Sequence, residues 1–292
     1  MQFRSDLAAE AVEALDDSQR LSDRDVRQES SQDGDLRITT MRVDSARGER
    51  LLQKPRGRYI TAEVPPLSDN GDAMEDMACR LAEHLTALLP AEGPVVVAGL
   101  GNDRITPDAL GPKAASMILA TRHIQGEFAR SAGLSDLRPT AVLSPGVLGQ
   151  TGVESGEIIR GLCEVVKPAV VIVIDALACR SLSRLGCTVQ ACDTGIAPGS
   201  GVGNHRQALN AQTLGVPVVA IGVPTVVDAT TIAMELTGGD NADDILPEGR
   251  AMMVTPREID LIIDRASRLV AMTINRMLQP AYSPLELTSI AV

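Results

Sequence analysis

The sequence has no tryptophan and only four other aromatic residues, Phe3, Tyr59, Phe128 and Tyr282, in 292 positions. Platforms on which nucleobases stack are therefore excluded, and the core has to be built from Val, Ile, Leu, Ala and Met. Positive charge is also in deficit. Lys and Arg number 27 against 38 Asp and Glu, and the resulting net charge of −11 repels a phosphate backbone. Nucleic acid is not an expected direct partner. The five cysteines (Cys79, Cys163, Cys179, Cys187, Cys192) are odd in number and include no C-x-x-C pair, which excludes a disulfide frame and a zinc site of the usual spacing. No apolar run reaches the ~20 residues of a membrane span, and acidic residues stand where a signal peptide would be basic and then apolar. The expectation is a cytoplasmic protein with no membrane partner.

What is present is an alternation of apolar runs and amphipathic stretches. Residues 1–37 hold a short alanine-rich helical stretch and then "DDSQRLSDRDVRQESSQDGD", which has almost nothing to bury and is expected to be a mobile appendage. "LRITTMRVD" and "RYITAEVP" predict a strand pair joined by a basic loop. From residue 71 on, helical spacing in "DAMEDMACRLAEHLTALL" leads into the continuous apolar run "GPVVVAGLG", and the pattern repeats. Strands are predicted at "PTAVLSP", "AVVIVIDALA" and "PVVAIGVP", and helices after Asp108, at "VESGEIIRGLCEVV", at "DATTIAMEL" and at "PREIDLIIDRASRLVAMTINRML". Unbroken apolar strands between amphipathic helices specify an α/β fold, a mainly parallel sheet with helices on both faces, spanning 38–292 as a single domain.

In such sheets the reactive groups gather beyond the carboxyl ends of the strands. Two aspartates meet that condition. Asp108 follows the strand "VVVAGLG", with Thr106 and Pro107 reading as the cap and first residue of a helix. Asp175 closes the strand "AVVIVID", and a carboxylate ending so apolar a run needs a partner or a task. Held close together, two carboxylates can share a proton and supply an acid and a base, with the helix terminus favouring ionised Asp108.

Other stretches carry weaker signals. "GLGNDR" starts like a dinucleotide fingerprint, but Arg104 stands where the third glycine belongs. "PGSGVGN" has no Lys-Ser/Thr ending of a phosphate loop, so Gly199, Gly201 and Gly203, with Asn102, read as residues lining a site. Thr151 with Glu154, and Thr225 with Asp228, read as helix caps. His205, beside the glycine turn, could join the aspartates around a metal, though its isolation points to the surface. There is no G-x-S-x-G elbow for a serine nucleophile.

The blocks "VVVAGLGNDRITPDALGP", "VLSPGVLGQTGVESGEII", "VIVIDALACRS", "DTGIAPGSGVGN", "VPVVAIGVPTVVDA" and "MMVTPREID" together resemble the germination (spore) proteases of spore-forming Firmicutes, in the same order over residues 94–262. The resemblance implies a phosphorylase/hydrolase-like α/β fold shared with hydrogenase-maturation endopeptidases. It also implies an endopeptidase that degrades small acid-soluble spore proteins in the spore core at germination. The family's two proposed catalytic aspartates fall on Asp108 and Asp175 here, and no cofactor or metal is expected. A homotetramer and a self-processing zymogen are implied as well. "SDLA", residues 5–8, matches the hydroxyl, acid, apolar, alanine order of the family's cleavage motif, so the expected cut lies between Asp6 and Leu7. Two other readings stay open: a maturation-type metalloprotease using the same carboxylates, and a non-catalytic α/β module binding a small ligand.

Overall fold

A computed structural model describes residues 5–15, 21–69, 74–124, 126–131, 133–200, 206–237, 252–282 and 287, with the backbone alone at 128 and 234–237. Among the described residues, nine strands form one sheet. Helix α1 (Ala8–Glu13) precedes the hairpin β1 (Val26–Asp33) and β2 (Leu36–Val43). Then follow α2 (Ala46–Leu52), β3 (Gly57–Glu63), α3 (Met74–Leu85), β4 (Val95–Gly99), α4 (Leu110–Ser116), α5 (Gly126–Ser131) and β5 (Thr140–Leu143). The rest of the chain supplies α6 (Leu148–Thr151), α7 (Ser155–Val166), β6 (Val170–Cys179), β7 (Thr188–Cys192), α8 (Ala211–Leu214), β8 (Val218–Asp228), α9 (Ala229–Thr237), β9 (Met253–Val254) and α10 (Ile259–Leu278).

The sheet order is β1-β2-β3-β7-β8-β6-β4-β5, with β9 on the far end of β8. Strands β5, β4, β6 and β8 run parallel, as the alternation predicts. The remaining pairings are antiparallel, so the sheet is mixed and the parallel arrangement is confined to the strands around the two aspartates. Strand β7 and helix α2 lie in stretches the periodicity leaves as loops. Both are short, and β7 carries a polar residue, Gln190, at its centre.

The unbroken apolar runs have a simple cause. Val95, Val97, Val170, Ile172 and Ile174 pack toward α3, α4 and α10, while Val96, Ala98, Val171 and Val173 pack toward α1, α2, α7 and α8. Alternate side chains of one strand thus enter two cores, and neither face needs polar residues. Each fully buried Val or Ile contributes about 1.5–3 kcal/mol as an upper bound.

The expected appendage at 1–37 is corrected in its described part. β1 pairs with β2 along its whole length although its side chains face water, because a ladder needs backbone groups rather than apolar side chains. Residues 5–13 are docked too, with the Leu7 side chain fully buried.

Candidate active site

Asp108 sits in a turn of 3-10 helix, Thr106–Asp108, that leads from β4 into α4. Thr106 does not cap this turn, and Pro107 occupies its start. The glycines before it serve close packing rather than phosphate binding. Gly101 has φ +113, and a Cβ there would lie 2.0 Å from the Asp108 carbonyl oxygen, so only glycine lets the turn fold back. A Cβ on Gly111 would lie 2.1 Å from the Leu100 oxygen, which shows how tightly α4 abuts the strand. The backbone N–H of Asn102 donates to Asp108 Oδ2 at 2.9 Å, and the Thr225 hydroxyl of β8 donates to the Pro107 carbonyl at 2.8 Å.

Asp175 does not end its strand. β6 runs on to Cys179 along β8, with a register shift between Leu177 and Ala178. It is β4 that stops, at Gly99 opposite Ile174, and Asp175 is the first residue beyond that edge. It is buried, 6% exposed, with the Ala176 N–H donating to Oδ1 at 3.0 Å. Asp108 and Asp175 line one cleft of about 270 Å³, together with Asp6, Gly199, Arg206 and Thr225.

Burial dominates the electrostatics. It pushes Asp108 above the usual carboxylate range, opposed by the Asn102 hydrogen bond and by Arg206. Asp175 is pushed well above that range by fuller burial, then by the charges of Asp108 and Asp6, against the Ala176 hydrogen bond and Arg206. Loss of contact with water disfavours the charged form, and a like charge adds to it. The proton therefore stays longer on Asp175, leaving Asp108 as the carboxylate. One acid and one base in a cleft can activate a water and protonate a leaving group.

The chain's own N-terminal segment enters this cleft. Beyond the end of β4 the edge of Ala178 is open, and Asp6 takes it: the Asp6 N–H donates to the Ala178 carbonyl, and the Ala178 N–H to Asp6 Oδ2, both at 2.9 Å. The Ser200 hydroxyl donates to Asp6 Oδ1 at 2.8 Å. The Asp6 carbonyl accepts from Lys54 Nζ at 2.9 Å and from Gln190 Nε2 at 3.0 Å, and the Ala8 N–H donates to Gln190 Oε1 at 2.6 Å.

Of the expected lining residues, Gly199 faces the cleft, whereas Asn102 contributes its backbone and turns its side chain to accept from Gln150. Gly201, Gly203 and His205 lie outside the described residues. Among the described residues, no three His, Cys, Asp or Glu side chains gather as a metal ion requires. Thr151 belongs to α6, so α7 begins from Glu154 instead. Asp228 alone caps α9, accepting from the N–H groups of Thr230 and Thr231. Sequence reasoning missed Lys54, Gln190, Ser200 and Arg206. Gln190, a polar residue inside an apolar run, and Ser200, inside the glycine turn, left a trace.

A family model described as germination protease matches residues 4–237. The germination protease of Clostridium acetobutylicum is 39% identical over 98% of this chain and 97% of its own length. That of Caldanaerobacter subterraneus is 38% identical over 99% and 98%, and that of Bacillus subtilis 42% identical over 86% and 69%. Among solved structures, a [NiFe] hydrogenase maturation protease from Thermococcus kodakarensis is similar at 21% identity and a TM-score of 0.38, covering 67% of this chain and 98% of that one. On the family match and the near full-length relatives, this chain belongs to the germination protease family.

Proposed function

We propose that the protein is an aspartate-dependent endopeptidase that begins the degradation of small acid-soluble spore proteins at germination in the spore core. In this reading it is made as a zymogen that cuts itself between Asp6 and Leu7, and it works as a homotetramer. The observation that carries the proposal is the cleft shared by Asp108 and Asp175, into which the chain's own Asp6 reaches from the acidic, apolar, alanine segment. Asp108 takes a proton from water as the water oxygen bonds to the peptide carbon. Asp175 gives its proton to the nitrogen as the C–N bond breaks, and the Asp108 proton then restores Asp175 through solvent.

The test is direct. Asp108→Asn and Asp175→Asn, each checked for folding by circular dichroism, should cleave spore protein and their own N-terminus about 10⁴-fold more slowly than the parent, because paired groups act as a unit. N-terminal sequencing of the processed parent should begin at Leu7. Normal cleavage by either folded variant removes the two-aspartate reading. Loss of parent activity on chelation, restored by a specific divalent ion, would replace it with a metalloprotease.

A further inference from the structure

The residues that grip the N-terminal segment stand apart from the two aspartates, and their placement follows from the sheet. Gln190 on β7 and Asp175 on β6 are both register partners of Gly222 on the intervening β8. Partners across a ladder project to the same face, so the Gln190 amide and the Asp175 carboxyl rise from one side of the sheet, separated by a residue with no side chain. The Leu177 side chain fills the space directly over Gly222, and residues 6–8 run beside it, hydrogen-bonded to Gln190 and to Ala178. The backbone at Leu7 is extended, with φ −78 and ψ 129.

The contacts made there are to main chain. The Gln190 amide donates to the carbonyl of Asp6 and accepts from the N–H two residues on, the pattern by which one side chain reads a strand. Lys54, reached from the loop after α2, adds an ammonium to the same Asp6 carbonyl and donates to the Ser5 carbonyl at 3.1 Å. Burial lowers the affinity of Lys54 for its proton, while the charges of Asp6, Cys192 and Glu10 raise it. Two donors at 2.9 and 3.0 Å thus meet on one carbonyl oxygen, the spacing at which donors stabilise a developing oxyanion.

We propose that Lys54 and Gln190 form a main-chain clamp for an extended peptide and polarise its scissile carbonyl, with Asp6–Ala8 as the occupant before processing and the acidic, apolar, alanine stretch of a substrate afterwards. This rests on the reading of the Asp6–Leu7 bond as the bond cut. The acidic side chain of the bound peptide is held by the Ala178 N–H and the Ser200 hydroxyl. The clamp contacts backbone, and the Leu7 side chain is held apart from it, buried in a cluster with Leu177, Cys179 and Val227.

The test uses the full chain and two readouts. Lys54→Met and Gln190→Leu should each slow the appearance of the Leu7 terminus by about 10²-fold or more, the loss typical of one oxyanion donor; Lys54→Arg should recover part of it, whereas Gln190→Glu, which has no N–H to give the Asp6 carbonyl, should not. In an Asp175→Asn background, where processing is blocked, amide exchange over residues 5–13 should rise about tenfold or more with Gln190→Leu, while exchange in α10 stays as in the parent. Excess synthetic peptide Arg-Ser-Asp-Leu-Ala-Ala-Glu should raise the same exchange in the otherwise unaltered chain. Parent-like processing by Lys54→Met and Gln190→Leu overturns the polarising role, and unchanged exchange overturns the clamp. If no chain processes, the parent included, the reading of the cut fails while the exchange data still decide the clamp.

Discussion

Asp175 is the residue on which the energetics of the cleft turn. A carboxyl with a pKa raised by burial and by the nearby Asp108 and Asp6 favours folding in its protonated form. Its contribution is present at low pH and is lost as pH rises through the raised folded-state value. Asp175→Asn carries no proton to lose, so it should equal the parent in acid and exceed it at neutral pH, by roughly 2–4 °C in Tm for each kcal/mol of relieved burial cost. Thermal melts from pH 4 to pH 8 check this, and a gap that widens toward acid instead would show that Asp175 is held as an anion. The same two groups shape the rate. With the two-aspartate reading, kcat/KM should climb through the pKa of Asp108 and fall through the higher one of Asp175, a bell that each Asn variant loses. Both aspartates were legible in the sequence because each follows an apolar run. Lys54 was not, because a lysine in a basic loop looks like solvent-facing charge until the fold half-buries it against the Ser5 and Asp6 carbonyls.

Helix α1 and the residues before it behave as one docked element. Its anchor is Glu10, 3% exposed, whose carboxylate accepts from the Ser5 hydroxyl and from the backbone N–H groups of Arg180 and Ser181 at 2.7 and 2.9 Å. Those N–H groups follow the end of β6, so the anchor ties the N-terminus to the strand that carries Asp175. Glu10→Ala leaves buried donors without an acceptor, a local cost of about 1–3 kcal/mol. The expected result is about tenfold or faster amide exchange over residues 5–13, and earlier cutting there by an added protease, with little change in global Tm. Exchange confined to the parent level would mean that Leu7 burial alone holds the segment. The helical stretch itself was visible as an alanine-rich pattern; its docking was not, since the acceptor and donors lie some 170 residues apart, as the Arg180 to Glu10 bond records.

For the molecule as a whole, the sheet divides into a parallel part that carries the cleft and an antiparallel part, β1-β2-β3-β7, that brings in Gln190. The homotetramer is a proposal about this whole particle. Light scattering on the purified chain should return four times its 30.8 kDa, and a stable monomer at micromolar concentration would remove it. The sequence by itself determined the α/β class, the strands β4, β6 and β8, the long helix α10 and the two aspartates. These depend on local periodicity and on the cost of placing a carboxylate beside an apolar run, both of which are written along the chain. Only the tertiary structure decided that β6 continues past Asp175, that β7 exists, and that Lys54, Gln190 and Asp6 meet at one carbonyl. Those facts depend on which backbone edges remain open after β4 ends, and an open edge is a property of neighbouring strands in space rather than of any stretch of sequence.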